Sequence, residues 1–283
     1  MNAKKMITDA VKEAERLRIK ANISPTISVD PIDVAIEVCQ CRVLFHPIPS
    51  LEGVYSPVPT PTIVIDSEMP TSRQSNTCAH ELGHHILENG TRIDDVKSIQ
   101  SKRIEELSAE LFAGYFLMPK LAVKEAITQR GFVLQDLTPE QAYRIACYFG
   151  VGYSNLLTYM NYSLRMIPYR LMKALQNVQL KEIKANYFVS PQVSMIMVDT
   201  FWVGRAINLK VGDFLLAPIN FELEAAKSLR IVEEVKGLLK FEAIAPGYNR
   251  IFESTSGWTA DIRVSRKNYV GLARYRFLEE VEE

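Results

Sequence analysis

The sequence predicts an α+β protein. It reads as a mainly helical first part with a small sheet, then a helical segment, then a β-rich C-terminal part. Three observations predict this. Apolar residues recur at helical spacing through most of the first 175 residues. Two short β-branched runs interrupt them early. From about Asn186 the texture changes to short apolar runs separated by Gly, Pro and Asn.

The elements follow in order. Ile7, Ala10, Val11, Ala14 and Leu17 recur at three- and four-residue steps, so residues 1–20 form a helix. "VDPIDVAIEV" starts a second helix, with Asp30 as N-cap and Pro31 at the first helical position. "CRVLFHPI" and "TIVID" (62–66) read as strands. The Gly- and Pro-bearing "EGVYSPVPTPT" between them is a loop or an edge hairpin. A third helix starts near Ser72 or Ser75. "IEELSAELFAGYFLM" is a fourth, stopped by Pro119, and "KLAVKEAITQRG" a fifth. "TPEQAYRIACYFGVGYSNLLTYMNYSLRM" is helical, capped by Thr138 with Gln141 closing a capping box. "SMIMVDT", "DFLLAP", "LRIVEEV", "LKFEAIA" and "TADIRVS" are strands. Expected domains are 1–130, catalytic; 131–180, helical and helix-turn-helix-like; and 186–283, β-rich, for docking or sensing.

Composition narrows the function classes. Of 283 residues 47% are hydrophobic and 23% charged, a normal globular balance. Lys plus Arg number 33 and so do Asp plus Glu, so no global field draws nucleic acid or an anionic membrane. No apolar run is long enough to span a bilayer, and the charged N-terminus lacks the apolar core of a signal peptide. Cys39, Cys41, Cys78 and Cys147 form no CxxC pair, which reads as reduced thiols in a cytoplasmic protein.

The chemistry concentrates in "CAHELGHHILENG". Only four histidines occur, and three lie here: His80, His84 and His85. His80-Glu81-Leu82-Gly83-His84 is an HExxH pentad. Positions i and i+4 share a helix face, so two imidazoles converge on one metal while Glu81 is placed to take a proton from water. Such a site favours Zn²⁺, and a carboxylate ligand also admits Mn²⁺ or Fe²⁺. His85 falls about 100° round the helix and supports a neighbour or faces solvent. Gly83 lets another element approach. The third ligand comes from His46 or, better, from Glu105, Glu106 or Glu110. Glu106 and Glu110 share a face, so one can ligate while the other supports a ligating histidine.

"TCAHELGHHIL" followed by "EELSAELFAGYFLMP" resembles the ImmA/IrrE family of metallopeptidases, whose members show A-H-E-x-G-H and then E-x-x-A-(N/D)-x-F-A-x-x-(L/F)-L-M-P. The resemblance spans roughly residues 30–120, and "GVYSP" with "TIVID" resembles the family's strand pair. It implies a zincin-like fold, His80 and His84 as zinc ligands, Glu81 as general base and Glu106 as third ligand. The family's Asn or Asp falls on Glu110, one methylene longer, leaving it a supporting group or an alternative ligand. It further implies a cytoplasmic enzyme cleaving a helix-turn-helix repressor, releasing mobile-element or stress-response genes. Gly53, Val54, Tyr55, Ile63 and Val64 are the expected substrate-binding strand.

The other reading is a DNA-binding regulator with a structural metal site. It rests on residues 137–165, where "FGVGYSNLL" is turn-like and Tyr153, Ser154 and Asn155 would lead the recognition helix. Trp202, Trp258, Tyr248, Phe252 and Tyr269 are expected as core aromatics of the β-rich part, or else as the lining of a ligand pocket.

Overall fold

The computed structural model describes residues 3–87, 99–225 and 227–278. Along the chain run α1 (Ala3–Lys20), α2 (Pro31–Glu37), β1 (Arg42–His46), β2 (Gly53–Ser56), β3 (Thr62–Asp66), α3 (Thr71–Ile86), α4 (Ile99–Leu117), α5 (Lys120–Gln129), α6 (Pro139–Phe149), α7 (Tyr153–Tyr162), α8 (Tyr169–Asn177) and α9 (Leu180–Ala185). There follow β4 (Met195–Met197), β5 (Ile207–Lys210), β6 (Phe214–Pro218), β7 (Phe221–Leu223), β8 (Leu229–Val235), β9 (Leu238–Ala243), β10 (Gly247–Glu253), β11 (Trp258–Ser265) and β12 (Gly271–Leu272). The class is α+β, helical towards the N-terminus and strand-rich towards the C-terminus. No described helix is long and apolar enough to cross a membrane.

Two compact units divide the chain. The first comprises Met1–Met69, Arg73–Ala122 and Tyr269–Tyr275; the second comprises Pro70–Ser72, Val123–Asn268 and Arg276–Glu283. The helical stretch 131–180 and the strands after it thus share one unit. The segment holding β12 belongs to the other.

In the first unit the sheet order is β12-β1-β3-β2. β1 and β3 are parallel from Arg42↔Thr62 to His46↔Asp66, and β2 returns antiparallel on β3 from Gly53↔Ile65 to Ser56↔Thr62. The Pro-rich stretch therefore resolves as an edge hairpin: the prolines follow β2, where missing N–H groups break no ladder. Alternating burial explains "TIVID": Ile63 and Ile65 are fully buried, while Thr62, Val64 and Asp66 are partly open. α1 packs along α4 through Ala10, Ala14 and Leu17. Its end is fastened by buried Arg18, which donates to Phe116 O (2.7 Å), Ser24 O (2.7 Å) and Ile27 O (2.6 Å). Asp30 caps α2 by accepting from Ile32 N at 3.0 Å, with Pro31 in the first turn as the sequence required.

In the second unit two sheets, β5-β11-β10-β7 and β4-β6-β9-β8, accompany the helices α6 to α9. Thr138 and Gln141 form the capping box at the start of α6, and Gly150 ends it at φ 64°. Arg130 holds Asp199 in a bidentate pair (Nε–Oδ2 2.8 Å, Nη2–Oδ1 2.9 Å), with its guanidinium over Tyr148. Trp202 is fully buried. Trp258 lies on Phe221 with centroids 4.6 Å apart, and Tyr248 meets Phe277 edge-on. Tyr269 is in the first unit, edge-on to Phe45.

Candidate metal centre

α3 carries the pentad, and the sheet and α4 shape what surrounds it. Its buried side includes Cys78, Ala79 and Leu82, all fully enclosed, so the helix is pinned by apolar packing while the histidines stay at its margin. Gly83 does what the spacing suggested. A Cβ there would sit 3.1 Å from Ala109 Cα, from Ala109 O and from Phe112 Cδ1, so α4 lies directly against the α3 backbone. That close approach delivers Glu106.

Three ligand-type side chains converge. His80 Nε2 and His84 Nε2 are 3.2 Å apart, Glu106 Oε2 is 3.2 Å from His80 Nε2, and Glu106 Oε1 is 3.5 Å from His84 Nε2. With metal–ligand bonds of about 2.0–2.1 Å, the edge of a tetrahedron is about 3.3–3.4 Å. The three spacings match such a polyhedron, and this His80/His84/Glu106 group could hold a metal ion. Hydrogen bonding alone does not account for it, because two imidazole nitrogens and a carboxylate crowd one point with few protons to share. His84 has its pKa lowered, chiefly by burial and next by His80, against a smaller opposing effect of Glu106. That favours the neutral imidazole a metal requires.

Glu81 is 8% exposed, and its carboxyl is pushed up to about 7. Burial is the main cause and the neighbouring charge of Glu106 the next, while the backbone N–H of Tyr55 donates to it and pulls the other way. A carboxyl held near neutrality is suited to accept and return a proton. β2 packs on it: a Cβ on Gly53 would overlap Thr77 Cγ2 and lie 3.3 Å from Glu81 Cγ. Only glycine admits this contact.

The remaining expected residues are distributed as follows. His85 points to the sheet, its Nδ1 2.8 Å from Tyr55 Oη, and burial lowers its pKa. His46 is exposed, with Nδ1 2.9 Å from Pro47 O, and lies outside the cluster. Glu110 is exposed and is also outside the cluster found among the described residues. Gly53, Val54 and Tyr55 lie on the edge strand. Glu52 O accepts from Asp66 N at 2.9 Å, so by alternation the N–H and C=O of Gly53 and Tyr55 face outward. Ile63 and Val64 do not share that edge: β3 is paired on both sides by β1 and β2, so its main chain is committed. Sequence reasoning missed Tyr55 as a partner of both Glu81 and His85. A Tyr in a β-branched hairpin carries no signal of that kind.

In the helix-turn-helix-like segment, Tyr153 is buried and donates to Leu175 O at 2.8 Å, leaving Ser154 and Asn155 exposed on the first turn of α7. Arg205 lies against the turn itself, where a Cβ on Gly150 would overlap its guanidinium.

Comparison with known proteins gives three findings. No curated protein matches the chain. Among solved structures, a Mycobacterium tuberculosis transcriptional regulator is similar at 17% identity, covering 54% of this chain and 46% of that one, with a TM-score of 0.39. This chain thus spans less than half of that protein. Residues 36–158 match the IrrE N-terminal-like domain, a metallopeptidase-type family. That span contains the edge hairpin, the pentad and Glu106.

Proposed function

We propose that this protein is a zinc-dependent endopeptidase that cuts a helix-turn-helix transcriptional repressor at a specific bond and so relieves repression. The observation that carries the reading is the convergence of His80, His84 and Glu106 beside a buried Glu81 held near neutrality. His80, His84 and Glu106 would hold the metal, which supplies Lewis-acid polarisation of a carbonyl and of water. Glu81 takes the proton at its carboxylate and returns it to the leaving amine, a transfer its raised pKa suits. Tyr55 fixes that carboxylate through its backbone N–H. The outward edge of β2, at Gly53 and the C=O of Tyr55, is where an extended substrate segment would pair, main chain to main chain, the Tyr55 N–H being held by Glu81.

The repressor as substrate follows from the family, and a cytoplasmic site of action goes with it. The test is co-expression with the helix-turn-helix protein encoded nearest to its gene, read by immunoblot. The parent should shorten it at one position. Glu81→Gln should retain about one equivalent of zinc by elemental analysis, yet cut at least about 10²-fold more slowly. Equal cutting by Glu81→Gln would remove Glu81 from the mechanism. Full zinc occupancy in both His80→Ala and His84→Ala would end the metal assignment.

A further inference from the structure

The second unit contains a cavity of about 180 Å³, given no role above, that takes in Pro70, Thr71 and Ser72 at the start of α3 but none of the pentad residues. Its wall includes Tyr153 of α7, Lys184 of α9, and Trp202 and Arg205 from the segment before β5. Among the described residues, no Asp or Glu lines it.

Lys184 is the telling residue. It is 7% exposed, and its ammonium donates to Pro191 O at 3.0 Å. An ammonium carries three donors, and no described carboxylate is within ion-pair reach of this one. Asp213 is the carboxylate that acts on it electrostatically, and its Oδ2 accepts from Lys210 N at 2.8 Å. Burial lowers the Lys184 pKa accordingly. A buried cation with a single hydrogen bond is costly, and an anion in the cavity would satisfy it. Arg205 brings a second positive charge to the same wall, its guanidinium 5.8 Å from the Trp202 ring.

Size sets the rest of the ligand. A cavity of about 150 Å³ accommodates one benzene ring, so 180 Å³ takes a ring with a small acidic group but not a nucleotide. Ala146, Trp202, Tyr153 and Met195 give that ring apolar surface.

We propose that this cavity binds a small monocarboxylate with one ring-sized apolar body, its carboxylate held by Lys184 and Arg205 and its ring by Trp202 and Tyr153.

Calorimetric titration of the full chain with benzoate and phenylacetate tests this, with benzamide as the uncharged probe of the same shape. One equivalent of at least one acid should bind saturably, and benzamide at least about tenfold more weakly. Lys184→Met, which keeps the length and removes the charge, should lose the acid by a similar factor while its urea midpoint stays equal or rises. Ala146→Leu should fill the space and abolish binding. The proposal fails if neither acid saturates below about 10 mM, if benzamide binds as well as benzoate, or if folded Lys184→Met keeps the parent's affinity. Should both variants fail to fold, the benzamide comparison decides alone.

Discussion

Gly83→Ala places a methyl group where α4 already stands. The new carbon would lie 3.1 Å from Ala109 Cα and from Phe112 Cδ1, whereas carbon atoms in contact settle at about 3.5–4.0 Å. α4 must therefore retreat by roughly 0.4 Å or more. Ala109 and Phe112 are fully buried, so neither can swing aside. Replacing Gly by Ala within a helix gains about 1 kcal/mol, and overpacking of this size costs about 1–3 kcal/mol. The net loss of stability should be about 0–2 kcal/mol. The larger effect falls on the proposed metal site. Glu106 precedes Ala109 by less than one turn, so it moves with α4, and ligand distances tolerate only about 0.2 Å. Zinc affinity, measured by competition with a chelator, should drop about 10- to 100-fold, while urea unfolding of the metal-free protein shows only the loss of about 0–2 kcal/mol. A variant more stable by about 1 kcal/mol with unchanged zinc affinity would refute the argument that helix contact at Gly83 positions Glu106.

Three further outcomes can be checked by urea unfolding. Thr138→Ala removes the hydroxyl that caps α6 and should cost about 1 kcal/mol; no change would mean solvent replaces the cap. Asp199→Asn leaves the enclosed guanidinium of Arg130 without its counter-charge and should cost about 3–5 kcal/mol, with the double change Arg130→Met, Asp199→Leu costing less; equal losses would show that the pair contributes as two separate side chains. Glu253 has its carboxyl lowered to about 2 by Ser256, through side chain and backbone, and by Thr255. Its contribution is therefore present above the ordinary carboxyl value and is lost as pH falls through about 2. Glu253→Gln should be less stable than the parent at neutral pH, with the gap closing as the medium is acidified; a constant gap would exclude the carboxylate.

Much of the N-terminal half of the chain could be read directly because its signals are local. Asp30-Pro31, Thr138 with Gln141, and the alternation in "TIVID" each specify an element from neighbours a few residues away. The pentad did the same for His80, Glu81 and His84, since helix geometry alone puts i and i+4 on one face. β5, β7, β10 and β12 escaped notice for physical reasons. β5, β7 and β12 are two to four residues long, and β10 buries Asn249 and Glu253 alongside Ile251, so its alternation is not an alternation of apolar and polar types.

The rest depended on contacts between residues far apart in the chain. The sequence determined by itself that α3 would present two imidazoles and a carboxylate, and that a glycine would lie between them. Tertiary structure alone decided which of three glutamates meets the imidazoles, because that depends on the rotation of α4 against Gly83. It also decided that β2, not β3, has the free edge, and that Gly53 admits the strand to Glu81. Burial of Glu81 and the charge of Glu106, 25 residues later in the chain, set the carboxyl near neutrality. A titration value depends on the surrounding dielectric and nearby charge, and both come into being only when the chain folds.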